Sequence, residues 1–137
     1  MNYERLSVDK IEKKEFNLSL AERDLKAAKD SLNSQDYDWA LSIAYNAVLQ
    51  AGRALMFSLG YRPKGNDKHK TVFAFLEESG FDQNIVFYFD NIRKIRHIAV
   101  YDEAGIISKE TAEETIKKAE IFVQKIRTIV LKIRTEK

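Results

Sequence analysis

Apolar residues recur at helical intervals along almost the whole chain. Leu18, Ala21, Leu25, Ala28 and Leu32 step by three and four through residues 9–33, one stripe with charged residues opposite it, and predict a first helix. Asn33, Ser34 and Gln35 break that pattern, and Asp36 is a natural N-cap for a second helix. There Ala40, Ile43, Ala44, Ala47, Val48, Ala51, Leu55 and Leu59 form a broad apolar face whose alanines suit close helix packing, and Gly60 is the natural stop. Tyr61 to Lys70, punctuated by Pro63 and Gly65, reads as a loop. A short helix follows at about Thr71 to Ser79, with Val72, Phe73, Phe75 and Leu76 inward and Gly80 at its end. A fourth helix is expected from about Asp82 to Val100, with Ile85, Ile92, Ile95 and Ala99 inward, and then a turn over Asp102 to Ile107. The last helix begins behind Ser108. Ala112, Ile116, Ala119, Val123, Ile126, Val130 and Ile133 alternate steps of four and three, and its charges match the helix dipole: glutamates at the start, Lys132, Arg134 and Lys137 at the end. The expected fold is all-α, a single domain over residues 1–137: an antiparallel up-and-down four-helix bundle with one extra short helix. Trp39, Tyr45, Tyr88 and the phenylalanines are expected mostly in the core.

Composition narrows the chemistry. A 137-residue chain with 45% hydrophobic and 32% charged residues closes one ordinary core. It has no cysteine, which excludes thiol nucleophiles, disulfides and cysteine-type zinc sites, and two histidines are too few for a histidine cage. Neither a metal nor a cofactor is expected. Net charge is +2, too balanced to signal nucleic acid by itself. The N-terminal stretch Met1 to Lys10 is charged and lacks the apolar run of a signal peptide. The longest uncharged run, Trp39 to Gly52, is 14 residues, short of the roughly 20 that span a bilayer. No membrane association and a cytoplasmic location are expected.

The most polar constellation lies on the fourth helix. At 100° per residue, Arg93, Arg96, His97 and Tyr101 share an arc of about 140°, beside the core stripe of Ile92, Ile95 and Ala99. Two guanidinium groups, an imidazole and a phenol suit a phosphate ester, because arginine takes phosphate bidentately and histidine moves protons near neutral pH. A solvated helix face, with the arginines paired to Asp90 or Glu103, accounts for the same residues. The Tyr61–Lys70 segment is a second candidate. Arg62, Lys64, Lys68 and Lys70 against Asp67 give it a local charge of +3 before His69, which makes Lys64 and His69 candidate phosphate ligands. Its glycine spacing is not that of a P-loop, and a solvated basic loop is the plain alternative. The run Ile85-Val86-Phe87-Tyr88-Phe89 covers every side of a helix, so some of its rings are expected to meet the short helix or a second subunit. From Lys117 onward the chain has seven basic and two acidic residues, a pattern that dipole matching and solubility explain more cheaply than RNA contact.

The segment Ala44-Tyr45-Asn46-Ala47-Val48-Leu49-Gln50-Ala51-Gly52-Arg53-Ala54-Leu55-Met56, then Leu59 to Gly65, His69-Lys70, and Ile95-Arg96-His97-Ile98-Ala99-Val100-Tyr101-Asp102, resembles the HEPN (higher eukaryotes and prokaryotes nucleotide-binding) family in order and spacing. The resemblance extends over about residues 10 to 130. It implies a helical bundle, usually a homodimer, often encoded beside a minimal nucleotidyltransferase as toxin and antitoxin. It also implies, for many members, a metal-independent RNase marked by an arginine, four to six residues and a histidine, often with a tyrosine two residues on. The arginine then binds the scissile phosphate and the histidine transfers protons.

Here the mark is altered. Four residues separate Arg96 from Tyr101, while His97 follows Arg96 directly and is separated from Arg93 by three residues. Arg62, six residues and His69 satisfy the formula by number, but in the segment after the second helix, away from the family's site, so the match reads as coincidence. The expectation is a nucleotide- or nucleic-acid-associated HEPN-type domain, homodimeric, with a nucleotidyltransferase partner in a toxin–antitoxin or defence setting. Arg93 and Arg96 would hold phosphate, and His97 and Tyr101 would line the cleft. The alternatives are an RNase toxin that uses Arg93 or Arg96 with His97, and a dimerisation scaffold without catalysis.

Overall fold

The computed structural model describes residues 3–5, 14–64, 68–99 and 104–135. Its helices are α1 (Lys14–Asn33), α2 (Tyr37–Ser58), α3 (Lys68–Glu78), α4 (Gln83–His97) and α5 (Lys109–Thr135). Two three-residue strands, β1 (Tyr3–Arg5) and β2 (Tyr61–Pro63), form an antiparallel ribbon with Glu4 opposite Arg62. The ribbon replaces part of the expected loop. Three residues per strand carry no readable alternation, and only pairing across nearly sixty residues creates it.

Cross-helix contacts set the directions. Lys29–Glu120 and Arg127–Glu22 pair α1 with α5 in opposite senses. Arg96 meets Ser42, so α4 runs against α2, and Tyr88–Thr115 with Asp82–Lys125 run α4 against α5. The four long helices therefore alternate up, down, up and down. The short helix α3, inserted between α2 and α4, lies alongside α2.

The central helix is α2. Ala40, Ala44, Ala47, Ala51 and Ala54 are fully buried, as are Ala21 and Ala28 of α1, and these small side chains let the backbones approach. Between α4 and α5 the spacing is set by rings: Phe81 and Phe89 pack on Phe122 with centroids 5.1 and 6.3 Å apart. The expected stripe of α5 is buried from Ala112 to Val130; Ile133 lies outside the described side chains. Gly60 ends α2 at φ +87°, where only glycine is unstrained.

Three expectations change. Trp39 is 54% exposed and Phe87 70% exposed, so neither belongs to the core. Leu59, just beyond the end of α2, is also exposed because the chain leaves the core face there. The short helix begins at Lys68, not Thr71, so His69 sits on its first turn.

Candidate phosphate-binding groove

The last turns of α4 present Arg93, Lys94, Arg96 and His97, and the first turn of α3 brings His69 against them. These five residues line an open groove of about 450 Å³. Among the described residues no carboxylate lines it. Asp90 lies one turn back on α4, where it accepts from Arg93 Nε at 3.1 Å, so one of the pairings expected for a solvated helix face does form.

Arg96 is held by two residues of α2. Its Nε donates to Ser42 Oγ at 3.0 Å, and its guanidinium carbon lies 5.2 Å from the centroid of the Tyr45 ring. Ser42 and Tyr45 stand three residues apart, neighbours on one helical face. With Nε committed to serine, the two terminal nitrogens remain as the fork that matches two phosphate oxygens. The cation over the ring face adds attraction that strengthens as water is removed.

Tyr45 also reaches His69. Its hydroxyl lies 3.2 Å from His69 Nδ1, and the two rings are 5.8 Å apart and tilted by 38°. One fully buried tyrosine thus touches both the cation and an imidazole of the groove. Farther along α2, half-buried Arg53 adds positive charge; burial lowers its pKa, and its interaction with Tyr45 offsets part of that. Guanidinium remains charged at neutral pH regardless.

The sequence-derived candidates divide clearly. Arg93, Arg96, His97 and His69 come together. Lys64 follows β2 on an exposed position and does not line the groove. Tyr101, like Gly65, lies outside the described residues. Ser42 and Tyr45, which hold Arg96 and His69, are positions that spacing did not mark. A second cleft of about 370 Å³ lies along α3 and α4, between Phe73, Phe87, Lys70, Glu77 and Asp90. One lysine against two carboxylates makes it a poor phosphate site. Among the described residues no group of three or more histidine, cysteine, aspartate or glutamate side chains is placed to hold a metal, and no helix is long and apolar enough to cross a membrane.

Comparison with known proteins settles the family. The family model described as HEPN domain matches residues 15–129, most of the chain. The chain belongs to the HEPN family. A relative from Methanocaldococcus jannaschii, named "putative toxin", is 29% identical over 113 residues, 81% of this chain and 77% of its own. A second, from Archaeoglobus fulgidus and named a UPF0332 protein, is 28% identical over 123 residues, 88% of this chain and 97% of its own. The match spans α1 to most of α5, so every residue of the groove falls within the HEPN domain.

Proposed function

We propose that this HEPN domain acts in a toxin-type setting, as a homodimer with a nucleotidyltransferase partner, and that its groove binds a phosphate of a nucleotide or RNA. The observation that carries the proposal is the convergence of Arg93, Arg96, His69 and His97 on one groove, with no carboxylate in its lining among the described residues. The name of the Methanocaldococcus relative supports the toxin setting. Titration of wild type and Arg96→Ala with a short RNA tests the groove. The variant should lose about 1.5–3 kcal/mol, roughly 10- to 150-fold, the worth of a hydrogen bond to a charged group. Equal affinity would remove Arg96 as a ligand. The dimer reading rests on exposed Phe87 within the all-round apolar run of α4. Phe87→Asp should yield monomers by light scattering, and a monomeric wild type at micromolar concentration would refute it.

A second reading, metal-independent RNA cleavage, is favoured by one specific observation. In-line cleavage needs one group to take the 2′-hydroxyl proton and another to protonate the leaving oxygen. Spacing along α4 supplies one imidazole; the groove holds two, His69 and His97, beside Arg96. Degradation of a mixed RNA pool in EDTA, compared among wild type, His69→Ala and His97→Ala, separates the readings. Cutting that disappears in both variants makes the pair catalytic, and absence of cutting by the wild type leaves a binding domain.

A further inference from the structure

Trp39 is the one tryptophan in the chain, and it lies in the first turn of α2 with 54% of its surface exposed. Among the described residues its indole makes no ring contact and no side-chain hydrogen bond; only its backbone N–H is engaged, with the Asp36 carboxylate. Such a large ring gains about 2 kcal/mol by burial, so its display in water calls for an explanation.

Its position supplies one. Trp39 is three residues before Ser42, on the neighbouring part of the same helical face, and Ser42 is the anchor of Arg96. Because α4 runs against α2, the C-terminal end of α4 meets the N-terminal part of α2 that carries Trp39. The Asp38 carboxylate accepts from the backbone N–H groups of Gly105 and Ile107 and draws the turn before α5 to the same end of the bundle. A flat aromatic face therefore stands one turn of α2 before the serine that anchors the Arg96 guanidinium.

We infer that Trp39 is a stacking platform for an unpaired nucleobase of a single-stranded RNA whose phosphate occupies the Arg96 groove. A cationic groove that holds the backbone, with an aromatic ring beside it for the base, is how single strands are bound without sequence reading. A base locked in a duplex cannot present its face to a side chain, so duplex RNA is excluded from the platform. A protein partner is the weaker occupant, since the ring stands one helical turn from the serine that anchors Arg96, in a groove lined by two arginines, a lysine and two imidazoles rather than by aliphatic residues. The inference rests on the phosphate-binding reading and adds the form of the ligand.

The single tryptophan makes the test direct. The full-length protein is titrated with a six-residue oligouridylate, with the same oligomer in abasic form and with a blunt RNA duplex, while indole emission and affinity are followed. Oligouridylate should quench Trp39, and Trp39→Ala should weaken its binding about 5- to 150-fold, the range for one stacked base. Trp39→Phe should retain part of the affinity, and binding of the abasic oligomer should be unchanged by either substitution. Arg96→Ala should weaken all three ligands. Equal oligouridylate affinity in wild type and Trp39→Ala, or equal quenching by duplex, overturns the platform while Arg96 dependence keeps the phosphate groove. Loss of Arg96 dependence with Trp39 dependence intact removes the phosphate reading and, with it, the arrangement inferred here. If Trp39→Ala dissociates a dimer in light scattering without touching RNA affinity, the ring is a protein contact and the inference is refuted.

Discussion

Gly52 gives the sharpest mechanical test of how His69 reaches the groove. It lies buried in the middle of α2, where glycine costs about 1 kcal/mol relative to alanine. A Cβ there would stand 2.5 Å from Val72 Cγ1 and 3.5 Å from Leu76 Cδ1 of α3. Carbon atoms pack at about 3.5–4.0 Å, and a β-branched valine in a helix has little rotamer freedom to withdraw. Gly52→Ala should therefore gain about 1 kcal/mol of helix propensity and lose about 1–3 kcal/mol to overpacking, a net destabilisation of about 0–2 kcal/mol. Val72→Ala alone removes two buried methyl groups and should cost about 2 kcal/mol. In the Val72→Ala background the clash is gone, so Gly52→Ala should stabilise by the propensity term. The double-mutant cycle, measured by urea unfolding with unchanged m-values, should show a coupling of about 1–3 kcal/mol. Displacement of α3 should also move His69, visible as a shift of its ring resonances in Gly52→Ala and their return in the double variant. Additive effects, or a Gly52→Ala protein about 1 kcal/mol more stable than wild type, would show that α3 is not clamped to α2 at this point.

Three further outcomes follow from named contacts. Tyr45→Phe should cost about 1 kcal/mol and shift the His69 resonances, yet keep RNA affinity within about twofold because the ring beneath Arg96 remains; a large loss of affinity would give the hydroxyl a direct role. Burial raises the Tyr88 pKa, with the Glu114 charge adding to it and the hydrogen bond with Thr115 opposing it. A raised folded value means that this group's share of stability is intact below the ordinary tyrosine range near about 10 and is lost as pH climbs through the folded pKa. Ultraviolet titration should show a late-ionising component that shrinks in Tyr88→Phe, and an unchanged late component in that variant would refute this. Asp38→Ala should cost about 1.5 kcal/mol, the low end for charged hydrogen bonds at a wet site, and should speed hydrogen exchange at Gly105 and Ile107; unchanged exchange would show that the carboxylate does not hold the turn.

The bundle is legible in the chain because each long helix repeats one stripe over several turns. The buried set of α5 from Ala112 to Val130 is the set that the four-three rhythm selects. Trp39 was misread because residue type outweighed position. Seven and eleven residues on stand Asn46 and Gln50, partly exposed positions on the same helical face, and that polar company was the available signal. His69 offered a similar clue. Val72 and Phe73, three and four residues later, are core residues, so the helix and its inward side extend one turn earlier than a run of lysines suggests. The contacts of Ser42 with Arg96 and of Tyr45 with His69 join residues 54 and 24 positions apart. No local period encodes them; they arise only once α4 runs against α2 and α3 is laid beside it.

The two arginines of the groove are not equivalent as candidate phosphate ligands, and the difference follows from what holds each one. Arg93 Nε is paired with Asp90 on its own helix, so a phosphate that recruits Arg93 must share it with a carboxylate one turn away. Arg96 is positioned instead by a neutral hydroxyl and the face of a neutral ring. Those contacts fix the long side chain in advance and, among the described residues, leave its charge uncompensated by a carboxylate. The side-chain freedom normally lost on binding is thus largely lost on folding, and little Coulombic attraction is surrendered when an anion arrives. Ser42 and Tyr45 are buried on the helix most enclosed by the bundle, so the position of the Arg96 cation is inherited from the hydrophobic core. The same core residue, Tyr45, holds His69 at the groove through a helix that interrupts the four-helix pattern. The phosphate recognition proposed for this groove therefore depends on the packing of α2 against α3 and α4 as much as on the charges the groove displays.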